Sequence, residues 1–128
     1  LGFGKLVEFF PDSRFHTNER RWRDEGGWIG EAFVSYMAIY HPNSSVVGLQ
    51  SDLLVQSVHW FSSRPIVVVN FGTVIPQKWT AERYPNLLLF HARPIKEYKF
   101  FNLNKLRAMM FARVHVGIVV DADQFLNV

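Results

Sequence analysis

Two carboxylates one residue apart, Asp121 and Asp123, close an apolar β-branched run that reads V-H-V-G-I-V-V-D-A-D from Val114 to Asp123. In an extended backbone, residues i and i+2 point the same way. The pair could therefore share one hard cation, which prefers oxygen ligands and often brings phosphate oxygens with it. Upstream, Lys105 offers a positive charge in the first turn of a plausible helix, whose N-terminus adds positive potential of its own. Carboxylates holding a cation, a lysine and a helix N-terminus together make a cradle for a pyrophosphate.

The elements that must position these groups follow from the pattern of the chain. The run ending at Val120 has the length and composition of a strand buried on both faces. Its carboxylates then fall at the carboxyl edge, where parallel α/β sheets hold their ligands. Before it, Asn102 or Asn104 can cap a helix through about Ala112, with Leu103, Leu106 and Met110 on its apolar side. Pro85-Asn86 opens a strand over Leu87 to Phe90, and Pro76 to Arg83 reads as a short helix with Trp79 and Tyr84 packing. Ile66 to Val69 is a further strand, stopped by Asn70 to Gly72. A helix capped by Ser51 or Asp52 runs to about Phe61, with Leu54, Val58 and Phe61 at i, i+4 and i+7. Ala32 to Tyr40 is the first buried strand, although its period also suits a helix, and His41 to Ser45 is a loop by composition.

The series is β-α-β-α-β-α-β. It predicts an α/β, Rossmann-like fold, a mostly parallel sheet with helices on both faces and right-handed crossovers. A crossover helix starts at the carboxyl edge of the strand before it. The last helix therefore begins on the edge where the final strand ends, and Lys105 is predicted to face Asp121 and Asp123. Residues 31–128 are read as this β/α domain and residues 1–30 as an N-terminal extension or stem. In that extension Asn18 to Glu25 is a charged, helix-compatible stretch broken by Gly26-Gly27. Its Arg20, Arg21 and Arg23 are interleaved with acids, which describes a solvated face better than a nucleic-acid patch.

At 128 residues with 48% hydrophobic content the chain is about one domain long and can bury a real core. The net charge of +3 is unevenly spread. Lys78, Arg83, Arg93, Lys96, Lys99, Lys105, Arg107 and Arg113 face only Glu82 and Glu97 in the same stretch, an excess that favours an anionic ligand. No recognised nucleic-acid motif appears. There is no cysteine, so disulfides are excluded. No apolar run approaches the ~18 residues of a membrane span. The chain begins at Leu1 and stops at Val128, just past its most suggestive motif, and reads as a piece of a longer protein whose upstream signal or anchor would be invisible here.

The segment from Phe101 to Leu126, F-N-L-N-K-L-R-A-M-M-F-A-R-V-H-V-G-I-V-V-D-A-D-Q-F-L, resembles the core of nucleotide-sugar glycosyltransferases of the GT-A fold. It is most similar to the glycogenin-like family 8 enzymes, whose pattern runs lysine-leucine, helix, apolar strand, D-A-D. The strand series from about Ala32 fits the same fold. The resemblance implies a metal-dependent glycosyltransferase that takes a sugar from a nucleotide-diphosphate donor, most simply a UDP-sugar, and gives it to a glycan or protein acceptor. It implies Asp123 as a direct ligand of Mn²⁺ or Mg²⁺, with Asp121 assisting the metal and contacting the donor's ribose or sugar. Lys105 matches the helix lysine kept near the donor phosphates. Ile39, Tyr40 and His41 match the strand end that holds the nucleotide base. Such enzymes act in the secretory lumen or, for the glycogenin-like ones, in the cytoplasm.

The family's second half, with the acceptor site and a further metal ligand (commonly His), lies beyond residue 128, so this stretch alone is expected to be inactive. Gln124-Phe125 follows the D-A-D where small or β-branched residues are more usual.

Two other readings fit parts of the pattern. Haloacid-dehalogenase-like phosphatases also carry Asp-x-Asp after an apolar strand, as nucleophile and acid/base on Mg²⁺. That motif normally opens the first strand, whereas here it follows three β-α units. A non-catalytic GT-A-like module would not require Asp121, Asp123 and Lys105 together. His41 and His91, near the carboxyl edges of the first and third strands, could form a different metal site with Asp123, although single histidines at strand ends are more often structural.

Overall fold

The computed structural model describes residues 19–38, 46–72, 78–91 and 103–121. Their elements are α1 (Glu19–Trp22), β1 (Ile29–Met37), α2 (Val46–Phe61), β2 (Ile66–Asn70), β3 (Leu87–His91), α3 (Leu103–Ala112) and β4 (Val114–Val119). The four strands form one all-parallel sheet in the order β3-β2-β1-β4. The fold is α/β and Rossmann-like, with a separate apolar cluster on each face of the sheet.

The strands read as the sequence suggests where burial is complete. Ile66 to Val69 and Leu87 to Phe90 are buried throughout, as unbroken apolar runs in a parallel sheet should be. One cluster unites Val34, Val67, Val69, Leu88 and Phe90 with Ala108 and Ala112 of α3. The other unites Met37, Val68, Leu87 and Leu89 with Leu54, Val55 and Val58 of α2 and with Trp79 and Tyr84 from the β2–β3 link. Burial at about 25 cal/mol per Å² of apolar surface makes these two layers the main stabilising term.

Several expectations are corrected. The helix expected to start from a cap at Ser51 or Asp52 is α2 from Val46, with both residues inside it, and Phe61 is 51% exposed rather than on the buried stripe of Leu54 and Val58. β1 spans Ile29–Met37, three residues earlier than read, because its backbone is engaged from Ile29 on: Ile29 N–H donates to Arg113 C=O. The helix expected over Pro76 to Arg83 is a set of turns across residues 78–83, with Arg83 N–H donating to Thr80 Oγ1. In α3 the residues that face the sheet are Asn104, Ala108 and Ala112, whereas Leu103, Leu106 and Met110 point outward. The strand side chains beneath already supply the volume, Phe90 and Val69 among them, so the helix lies close and offers small groups. Nor is β4 buried on both faces: Val116 and Ile118 are 62% and 61% exposed. Among the described residues β4 is the sheet's outer strand. There a shallow apolar groove runs beside Phe33, Val116 and Ile118, rimmed by the Glu31–Arg64 ion pair. β-branching in this run serves strand geometry rather than burial.

At the opposite, amino-terminal edge, the segment from Glu19 to Gly30 is tied onto the sheet. Trp22 Nε1–H donates to Pro85 C=O at 3.2 Å, and Arg23 donates to Ala112 C=O at 3.1 Å. Arg23 is thus a tether rather than part of a solvated face. Gly27 sits at φ +82°, a left-handed turn residue. Trp28 stacks on His115, centroids 5.0 Å apart, and Asp24 Oδ2 lies 3.7 Å from His115 Nε2.

The Trp28 N–H that donates to Asp24 is the main cause holding this carboxyl below its usual range, with Gly26 N–H and His115 adding to it against partial desolvation. A lowered folded-state value means that the stability from ionised Asp24 is complete above the unfolded-state value and is lost as pH falls through the folded one. Asp24→Asn keeps the acceptor and removes the charge. Its urea midpoint is expected below wild type at neutral pH, and the gap should shrink as pH falls below about 4. A gap independent of pH would show that the charge contributes nothing.

Candidate functional site

From β1 the chain passes through β2 to β3 in one direction, then returns to place β4 on the other side of β1. In doubly wound sheets this reversal opens a crevice at the carboxyl ends of the two strands that flank it, and ligands bind there. The flanking strands are β1 and β4. At that edge β1 runs out through Tyr36 and Met37, and β4 through Val120 and Asp121.

Register decides which side chains meet. Val34 is level with Val119, and Val120 N–H donates to Val34 C=O. Two residues further along each strand, Tyr36 and Asp121 are level and lie on the α3 side of the sheet. α3 begins at the same edge, since it enters the fold after β3 and leaves into β4. Lys105, in its first turn, reaches across, and its ammonium donates to Asp121 Oδ1 at 3.0 Å. Both side chains are about half exposed, 41% for the lysine and 48% for the carboxylate. The hydrogen bond and charge of Asp121 hold Lys105 above its usual value, and Tyr36 adds a smaller contribution. The meeting of Lys105 with Asp121, expected from topology alone, is present.

Two residues further along α3 stands a second cation. Arg107 donates to Asn104 Oδ1 at 3.2 Å and lies between Phe71 and Phe111, 5.6 and 5.4 Å from their centroids. Burial lowers its guanidinium below the usual value. Phe71 follows β2 directly and its N–H donates to Met37 C=O, while Asn70 Oδ1 accepts from Gly72 N–H at 2.8 Å. The ends of β1, β2 and β4 and the start of α3 thus gather Tyr36, Asn70, Asn104, Lys105, Arg107 and Asp121 on one edge.

Asp121 and Lys105 are the expected site residues that the structure describes. Asp123, Ile39, Tyr40 and His41 lie outside the described residues. Among those described, no three His, Asp or Glu side chains converge on a metal-binding point. Asp121 itself fits a divalent cation in kind: a half-exposed, hard oxygen donor at a strand end that already attracts a positive charge. His91 ends β3, in register with Asn70. Tyr36 and Arg107 are not singled out as site residues by the sequence, and Asn104 is read only as a helix cap, whereas it lies inside α3, buried. Arg107 stood in the basic stretch, but its clamp on Phe71 joins residues distant in the chain, and the place of Tyr36 depends on β1 ending at Met37.

No protein-family model, curated protein or solved structure matches this chain.

Proposed function

We propose that this chain is the nucleotide-binding part of a GT-A-type glycosyltransferase that uses a divalent metal and a nucleotide-diphosphate sugar, most simply a UDP-sugar. The observation that carries the reading is the contact of Lys105 with Asp121 at the switch point of the sheet. It joins the two described residues that the resemblance assigns to the donor, and it does so where an α/β sheet binds nucleotides. In this reading Asp121 and Asp123 hold Mn²⁺ or Mg²⁺, and Asp121 also contacts the ribose or sugar of the donor. Lys105 and the N-terminus of α3 face the diphosphate. Once bound, the metal ion stabilises negative charge on the departing nucleoside diphosphate. Arg107, which donates to Asn104 beside the Phe71 and Phe111 rings, is a second cation carried by the same helix. The acceptor in this reading is a glycan or a protein.

Calorimetric titration of UDP into the purified protein, with and without Mn²⁺, tests the reading beside Asp123→Ala. The expected result is Mn²⁺-dependent binding, weakened at least tenfold by the substitution, in line with the loss of a metal ligand. A folded protein that binds no UDP under either condition overturns it and brings forward the phosphatase or a non-catalytic module.

A further inference from the structure

The ion pair at the crevice has a second implication, which rests on the nucleotide-sugar reading. We infer that Lys105 and a divalent cation compete for Asp121, so that Lys105 must leave Asp121 Oδ1 when the cation binds and is thereby delivered to the anion that the cation brings. Asp121 Oδ1 already accepts from the ammonium at 3.0 Å. A divalent ion ligated by the same carboxylate would stand within a few ångströms of that ammonium, and like charges at that distance repel strongly. Both partners are half exposed, so the pair can open without leaving a buried charge behind, the condition under which ion pairs exchange at low cost. Of the described groups, Tyr36 on β1 also bears on the Lys105 ammonium. A phenol offers no carboxylate to receive the displaced ammonium. Its natural destination is the phosphate charge that arrives with the metal, at the N-terminus of the helix that carries it.

The exchange makes Lys105 act in opposite senses on the two ligands. It opposes binding of the cation alone and favours binding of the nucleotide once the cation is present. A residue that merely stiffened the site would favour both.

The test titrates Mn²⁺ alone into the protein, read by the electron paramagnetic resonance signal of free Mn²⁺, and then UDP at saturating Mn²⁺. Lys105→Met is expected to bind Mn²⁺ about tenfold more tightly than wild type and UDP about tenfold more weakly. Lys105→Arg, which keeps the charge, should bind Mn²⁺ like wild type. Arg83→Met, which removes a cation from the turn before β3, should leave both affinities unchanged. Equal or weaker Mn²⁺ binding by Lys105→Met, in proteins that do bind the ion, overturns the competition while leaving the nucleotide-sugar reading in place. Failure of folded wild type to bind UDP with or without Mn²⁺ overturns both.

Discussion

Phe90→Ala is expected to lower folding stability by about 3–5 kcal/mol, read as a fall in the urea midpoint with an unchanged slope. The ring is 1% exposed in β3 and packs with Val69 and Leu88 in the cluster that α3 closes with Ala108 and Ala112. The Arg23 guanidinium lies 5.1 Å from its centroid. Small helix residues leave few long side chains able to fill the space, so the site collapses poorly and the cost falls at the upper end for a buried aromatic. In a domain whose total stability is about 5–15 kcal/mol, that loss is a large share. Leu106→Ala, on the outward stripe of α3, is the matched control and should change stability by less than about 0.5 kcal/mol. A cost at Leu106 as large as that at Phe90 would mean that α3 presents its leucine stripe, not its alanines, to the sheet.

The second large effect is expected at Asp52. This carboxylate lies in α2 with its side chain 8% exposed, and three donors from two segments converge on it. Lys78 Nζ lies 2.6 Å from Oδ2, Gln56 Nε2 2.6 Å from Oδ2, and Trp79 Nε1 3.0 Å from Oδ1. Through these bonds Asp52 fastens the β2–β3 link to α2 over the second apolar cluster. Asp52→Ala removes all three acceptors and leaves the buried indole N–H of Trp79 unsatisfied. The expected cost is about 2–4 kcal/mol, less than for a fully buried pair because Lys78 can return to water. Asp52→Asn keeps an acceptor for Trp79 and should recover about half of it. A red shift of tryptophan fluorescence should accompany the alanine variant alone. If alanine and asparagine cost the same, the indole bond contributes nothing and the charge carries the whole effect.

What the sequence discloses, and what it hides, divides along one physical line. Unbroken apolar runs and alternating β-α order are properties of neighbouring residues, so the sheet class, β2, β3 and the position of α3 are readable. The meeting of Lys105 with Asp121 is readable too, because crossover geometry fixes which edge each element starts from. Properties set by three-dimensional neighbours are not. Val114 to Val119 has the composition of an interior strand, but what lies beside it decides whether Val116 and Ile118 are covered. Hydrophobicity alone puts Leu103, Leu106 and Met110 on the inner face of α3, whereas the bulky strand residues below select alanine there. Residue type alone makes Ser51 or Asp52 a helix cap; the actual role of Asp52 depends on Trp79, which a turn brings from across the link. The Asp121–Asp123 motif was legible as chemistry, and the structure adds the register that aims Asp121 at the helix.

The strand order also carries a consequence for the birth of the fold. β1 pairs with β2 across about 33 residues (Phe33 with Ile66) but with β4 across about 85 (Ile29 with Val114). Closing the longer loop costs about 0.8 kcal/mol more in chain entropy, and its partner emerges last of the four strands from the ribosome. At about 5–20 residues per second, one side of β1 stands open for roughly 2–9 s after β2 is complete. An open strand edge is a template for any other extended chain. The strand that forms one wall of the crevice therefore waits longer than β2 for its second partner during synthesis. Substitutions in β4 that delay its docking should reduce the yield of soluble protein well before they reduce the stability of what has folded.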